Sequence, residues 1–267
     1  MWLLENQLPF FIVQALFQPE RISFPPSTEE ISLVKLLHKF FKELMHLEGT
    51  DKNFEKITSS QVAHFVDFLR NLYIPLDSDA KGKLTTLAMP TVTELHRAGV
   101  KFRPAPSKNM FDMSFSNGVL EIPKLIISDE TELTIRNLLA FEQCQFEKNN
   151  YLNDYAVMMD RLVNTAKDVD LLVQEGVVEN RLGDSSEAAM LINKLADGVT
   201  MDYENFYFAA ISVQLDKYCK TSWHKWRANL RQRYFNTPWA IVSVTAAVLL
   251  IVLTIIQTVC SVISVTD

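Results

Sequence analysis

Apolar residues recur at helical spacing over most of the chain, so helices are the expected building block. Pro9 suits a first helical turn, and Phe10, Val13, Ala15, Leu16 and Phe17 make the short helix behind it apolar over much of its surface. Asn6 or Gln7 is placed to satisfy the free amides just ahead of it. A helix this apolar needs cover from other elements, so the chain reads as a domain entered partway through. Residues 18–30 carry three prolines and form a loop. Ser27 or Thr28 then caps a helix with the stripe Ile31, Val34, Leu37, Phe40, Phe41 and Leu44. After a polar connection over 46–58, a helix begun by Ser60 carries Val62, Phe65, Val66, Leu69 and Leu72 on one face. Residues 75–83 are expected as a surface loop, and Pro90 opens a short helix that Gly99 closes.

The period then changes. Phe111, Met113 and Phe115 alternate, Asn117-Gly118 follows, and Val119 to Ile122 make a second apolar run that Pro123 ends. Asn-Gly between such runs predicts a β-hairpin, because both residues tolerate positive φ. Everything afterwards is expected to be helical. Asp129 and Glu132 start one helix, two more lie near 151–165 and 168–175 with Gly176 as their stop, and Asp184 with Glu187 caps another that Gly198 ends. A long helix over roughly 202–235 closes the body. Residues 236–266 then contain no charge, and the 27 residues from Trp239 to Val265 exceed the roughly 20 that a membrane-crossing helix needs. Tyr234, Phe235 and Trp239 are placed as an interfacial aromatic belt, with Leu250 and Ile255 inside the anchor. The expected fold class is mainly α (α+β in detail): an irregular helical domain over 1–235 with one small hairpin, and a C-terminal transmembrane helix over 239–265.

Charge sharpens that expectation. The net charge is −6, yet Lys217, Lys220, Lys225, Arg227, Arg231 and Arg233 lie together without an acid among them. Without those six, the other 20 basic residues face 32 acidic ones, a balance of −12. An acidic body repels nucleic acid, which is excluded as a partner. The basic neck, with Arg227, Arg231 and Arg233 nearest the anchor, implies an N-terminal body in the cytosol by the positive-inside bias. The length of the anchor favours the plasma membrane over the endoplasmic reticulum. Residues 1–20 hold no Lys or Arg and no small-residue cleavage site, so an export signal is excluded. The expected arrangement is a tail-anchored single-pass protein.

Chemistry is sparse. No Gly-rich phosphate loop, G-x-S-x-G or H-E-x-x-H occurs, and the five histidines are scattered, so neither cofactor nor metal is expected. The three cysteines match neither a disulfide framework nor a zinc pattern. Two polar groups sit in apolar surroundings, Glu5-Asn6-Gln7 and Glu142-Gln143-Cys144. A general acid beside a nucleophilic Cys144 would make an enzyme of the chain. Without a histidine nearby in sequence to activate the thiol, buried polar groups bonding helix ends are the better account.

The strings "LLENQLPFFI", "TELHRAGVKF", "FSNGVLEIPKL", "TELTIRNLLAFEQC", "DVDLLVQEGVVENRLG" and "YFNTPWAIVSVTAAVLLIVLTIIQT" occur in this order. Together they resemble the plant-specific family called domain of unknown function 247, of the UPF0481 membrane-protein type. The resemblance implies a mostly helical membrane protein without established catalytic activity. It also implies recognition of a protein partner, since some grass members are implicated as pollen-side determinants of self-incompatibility. The family carries a further stretch ahead of the "LLENQ" corner, so the resemblance implies an N-terminally truncated domain here. The expected function is a non-enzymatic, membrane-held interaction module, linked to self-incompatibility or signalling. The alternatives are a membrane-bound enzyme using Cys144 or a buried carboxylate, and an inactive truncated paralogue.

Overall fold

The computed structural model describes residues 3–17, 32–44, 49–57, 62–75, 81–85, 89–146, 149–221, 242–243, 245–247 and 249–257. A 3-10 turn over Leu4–Asn6 leads into α1 (Phe10–Leu16), and α2 (Leu33–Leu44), α3 (Asp51–Phe54) and α4 (Phe65–Tyr73) follow. Val34, Phe41, Phe65, Val66, Leu69 and Leu72 are helical and buried as expected, whereas Val62 is buried ahead of α4 rather than within it and Phe40 of the α2 stripe is exposed. Phe65 and Phe68 stand against Phe41, and Phe65 receives the edge of Phe10 at 6.3 Å between ring centres. The polar connection after α2 contains α3, which the sequence did not predict. Ser60 lies outside the described residues. The cap of α4 is His64, whose Nδ1 accepts the backbone N–H of Asp67 at 3.2 Å.

Helix α5 (Val92–Arg97) starts at Thr91, whose hydroxyl and the Glu94 carboxylate each accept the other residue's backbone N–H. Gly99 ends it at φ +93°. The hairpin forms as its turn demands, with β2 (Ser114–Ser116) antiparallel to β3 (Val119–Ile122) and φ of +50° at Asn117 and +75° at Gly118. A third strand, β1 (Lys101–Pro104), pairs parallel to β3 and completes the order β1-β3-β2.

The chain beyond the hairpin is not wholly helical. β4 (Leu125–Ile127) pairs parallel with β5 (Val178–Asn180). Around this ribbon run α6 (Asp129–Gln145), α7 (Tyr151–Leu162), α8 (Ala166–Gln174) and α9 (Ser185–Ala196). Ser128 precedes α6, where Asp129 was expected to cap, and its backbone N–H donates to Thr131 Oγ1 at 2.9 Å. Asp184 caps α9 as expected by accepting the Ser186 N–H at 2.9 Å. α10 (Ala209–Lys220) starts later than the expected 202 and gives way at Thr221 to extended backbone. It lies on the hairpin through Tyr218, which meets Phe115 edge-on at 5.4 Å. Of the expected surface loop at 75–83, residues 76–80 lie outside the described residues, and its far end turns inward. Gly82 pairs with Phe206, Leu84 is buried, and the Lys81 side chain is 6% exposed, because Asp154 gives its ammonium a partner inside the fold.

The transmembrane helix expected over 239–265 does not stand. Among the described residues no helix is long and apolar enough to cross a membrane. The single-pass, plasma-membrane placement falls with it. Leu250 and Ile255 are helical and exposed. Arg227, Arg231, Arg233, Tyr234, Phe235 and Trp239 lie outside the described residues.

Candidate functional site

Glu142 lies on the inward face of α6 with no solvent exposure. Arg70 of α4 reaches it with Nη2 3.0 Å and Nε 3.1 Å from Oε1, while Oε2 accepts the Asn153 backbone N–H at 2.9 Å. The same guanidinium donates to the Asn149 carbonyl at 2.6 Å and lies 3.8 Å over the Phe146 ring. Burial pushes the Glu142 carboxyl above its usual range, and Arg70 and the backbone amides oppose that push. Twelve residues on, Asp154 of α7 holds Lys81 Nζ at 3.1 Å and accepts the Tyr207 N–H at 3.0 Å. Asp168 of α8 accepts the Thr93 N–H at 2.7 Å and the Thr165 N–H at 2.9 Å. Burial works against its ionised form, but these hydrogen bonds prevail and hold its carboxyl below the usual range.

Each of these carboxylates therefore joins one helix to another segment. Gln143 is exposed and donates to the Gly198 carbonyl at 3.3 Å. Cys144 is exposed, and among the described residues nothing hydrogen-bonds to its sulfur. No base is held against the thiol, so the pairing of general acid and nucleophile is not assembled. His38 stacks on Phe54 at 4.1 Å and His64 caps α4, and burial lowers the pKa of both rings. Among the described residues no group of three His, Cys, Asp or Glu is placed to hold a metal ion.

The N-terminal corner does something the sequence did not indicate. Gln7 does not cap α1, which has no side-chain cap; its Oε1 instead accepts the Val66 N–H in the first turn of α4 at 3.2 Å. The Leu4 N–H donates to Asn137 Oδ1 of α6 at 2.7 Å. Glu5 and Asn6 are exposed in the 3-10 turn, and Pro9 precedes α1 at φ −56°. These bonds fix how α1 leaves the body. Phe10 goes in, and its N–H donates to the Ala63 carbonyl at 2.7 Å. Leu8, Phe11 and Leu16 remain 61%, 71% and 74% exposed, with Ile12 beside them at 39%. Phe11, Ile12 and Leu16 share one side of α1 and Leu8 lies just ahead of it, so among the described residues they form one exposed apolar patch. Arg70, Lys81, Asp154 and Asp168 were missed in the sequence. The available signal was a charge standing alone within an apolar helical face, as Arg70 does in "FVDFLRNLY".

The arrangement is that of a mainly helical domain whose interior charges serve its own joints and whose first helix is open on one side. The chain belongs to the DUF247 family, described as plant protein of unknown function, whose model matches residues 1–253. It is 25% identical to a UPF0481 protein of Arabidopsis thaliana, over 98% of this chain and 59% of that protein. It is 28% identical to a second UPF0481 protein of the same plant, over 68% of this chain and 35% of that one. The chain thus spans between a third and three fifths of the length of the curated relatives it matches. Neither the family's description nor the relatives' names give an enzyme activity. No solved structure matches the chain.

Proposed function

We propose that the chain is a non-catalytic protein-interaction module that meets its partner through the apolar stripe of α1. The observation that carries this is the exposure of Phe11, Ile12 and Leu16 on α1, and of Leu8 just before it, on a helix whose approach angle is fixed by backbone hydrogen bonds to Gln7 and Asn137. A presented helix face with Phe11, Ile12 and Leu16 as anchors, flanked by Leu8, suits a partner with an apolar groove. The acidic balance of the chain favours a basic rim around that groove. A part in self-incompatibility or signalling would be exercised through such a contact.

A photocrosslinking amino acid placed at Phe11, and at the exposed Tyr203 as control, tests this in plant cells. The expected result is one discrete adduct from position 11 only, lost when Leu16→Glu is added without a change in thermal midpoint. Equal labelling from both positions, or an adduct that survives Leu16→Glu, would overturn the assignment.

A further inference from the structure

Residues 197–208 join α9 to α10, and backbone hydrogen bonds tie this connection to the body. The Gly198 carbonyl accepts Gln143 Nε2 of α6 at 3.3 Å, and the Tyr203 carbonyl accepts the Leu84 N–H at 2.7 Å. Further on, Phe206 pairs with Gly82 and the Tyr207 N–H donates to Asp154 at 3.0 Å. Met201 stands between Gly198 and Tyr203, half-buried against the core. Its Sδ accepts a hydrogen bond from Arg161 Nη2 of α7 at 3.3 Å. This contact, sulfur to guanidinium, is the tether in the middle of the connection.

The two partners are unequally matched. A guanidinium is a permanent cation rich in N–H donors, whereas a thioether sulfur is a weak acceptor. Nη1 of the same Arg161 is buried and has no hydrogen-bond partner among the described residues. A buried charged donor left beside a weak acceptor favours any change that puts an oxygen in reach. The sulfur itself can supply that oxygen. One of its lone pairs takes the Arg161 N–H, and the other is free to attack hydrogen peroxide. That pair forms the S–O bond as the O–O bond breaks, so the sulfur is oxidised and the peroxide reduced. The proton of the attacked oxygen passes to the departing hydroxide, which leaves as water. The flexible Met torsions then turn the sulfoxide oxygen towards the guanidinium. Exposure alone does not single out Met201. Met190 is 51% exposed and Met89 and Met110 are half-buried, but among the described residues none of the three receives a side-chain hydrogen bond at sulfur.

We propose that Met201 is a peroxide-oxidised modification site whose sulfoxide is held by Arg161, so that oxidation clamps the 197–208 connection onto α7. Sulfoxide in a packed region ordinarily loosens it, because a polar group replaces an apolar one. Arg161 reverses that sign by giving the new oxygen a charged donor. The modification is of the reversible kind, returned to the thioether by a methionine sulfoxide reductase.

Hydrogen exchange read by mass spectrometry on the full chain, after partial oxidation with hydrogen peroxide, tests the assignment. A peptide carrying Met201, Phe206 and Tyr207 reports its own oxidation by the added oxygen, so oxidised and unoxidised molecules are read side by side. In the oxidised peptide the Phe206 and Tyr207 amides should exchange about tenfold more slowly than in the unoxidised one. In Arg161→Leu the same oxidation should instead speed their exchange. Met201→Gln carries an amide oxygen where the sulfoxide would have one and needs no oxidant. It should exchange about tenfold more slowly than Met201→Leu, and adding Arg161→Leu should erase that difference, with thermal midpoints checking that each variant is folded. Met201 left unoxidised when Met190 is fully converted, faster exchange in the oxidised natural chain, or Met201→Gln no slower than Met201→Leu would each overturn the proposal. None of these results bears on crosslinking from Phe11, so the two proposals fail separately.

Discussion

Asp154 is 2% exposed on α7, with Lys81 Nζ at 3.1 Å and the Tyr207 amide at 3.0 Å. Burial pushes its carboxyl up to about 6, although Lys81 and the amide pull the other way. A carboxyl whose folded pKa is above the unfolded 3.8 holds its proton more tightly in the fold. Its contribution to stability is therefore full below the unfolded value and is lost as pH rises through the folded one. Asp154→Asn keeps the shape and an acceptor oxygen but removes the titration. The stability of the natural chain minus that of the variant should fall by on the order of 2–3 kcal/mol between about pH 4 and about pH 7. Urea unfolding at stepped pH reads this directly. A flat difference would mean that Asp154 stays ionised in the fold. Lys81 shows the same rule from the other side: a lysine in a polar stretch is expected at the surface, and distant groups, the Asp154 carboxylate and the Tyr151 ring 4.3 Å from its ammonium, make its burial tolerable.

At the scale of elements, the hairpin was legible because its cause is local. Asn117 and Gly118 supply the two positive φ angles themselves. A Cβ added at Gly118 would take up the strain of φ +75° and meet the Tyr218 hydroxyl oxygen at 2.7 Å. Gly118→Ala should therefore cost at least about 1–2 kcal/mol from the backbone, plus the clash. Tyr218→Phe in the same chain should return the clash share, so the two changes should be non-additive in urea unfolding. Simple additivity would show α10 shifting freely away from the turn. The caps that were read correctly, Asp184 and the glycines at 176 and 198, are local in the same way. Where two cap formers stand side by side, as Ser128 and Asp129 do, sequence does not choose between them. β1, β4 and β5 were missed because three- or four-residue parallel strands take their meaning from remote partners, such as Val178 opposite Leu125. The uncharged run at 236–266 predicts a membrane-crossing helix from composition alone, and among the described residues no helix is long and apolar enough to be one.

Across the whole molecule, the Arg70–Glu142 pair is the joint between the N-terminal helices and the rest. Arg70 belongs to α4, which carries α1 through Phe65 and Gln7, while Glu142 and the Asn153 amide belong to α6 and α7. Both side chains are almost wholly buried, so removing one leaves a charge without water or partner. Arg70→Met should cost roughly 3–5 kcal/mol. Adding Glu142→Gln should return much of that loss, because the neutral amide abolishes the stranded charge and still offers an oxygen to the Asn153 N–H. Hydrogen exchange locates the effect. In Arg70→Met the amides of α4 should lose protection first, while α7, α8 and α9, which are held together by their own apolar contacts, keep theirs. If the double variant costs as much as the two single changes summed, the pair is not the source of the loss. If protection falls equally in α4 and α9, the chain opens as one unit, and the joint does not separate an N-terminal part from the remainder.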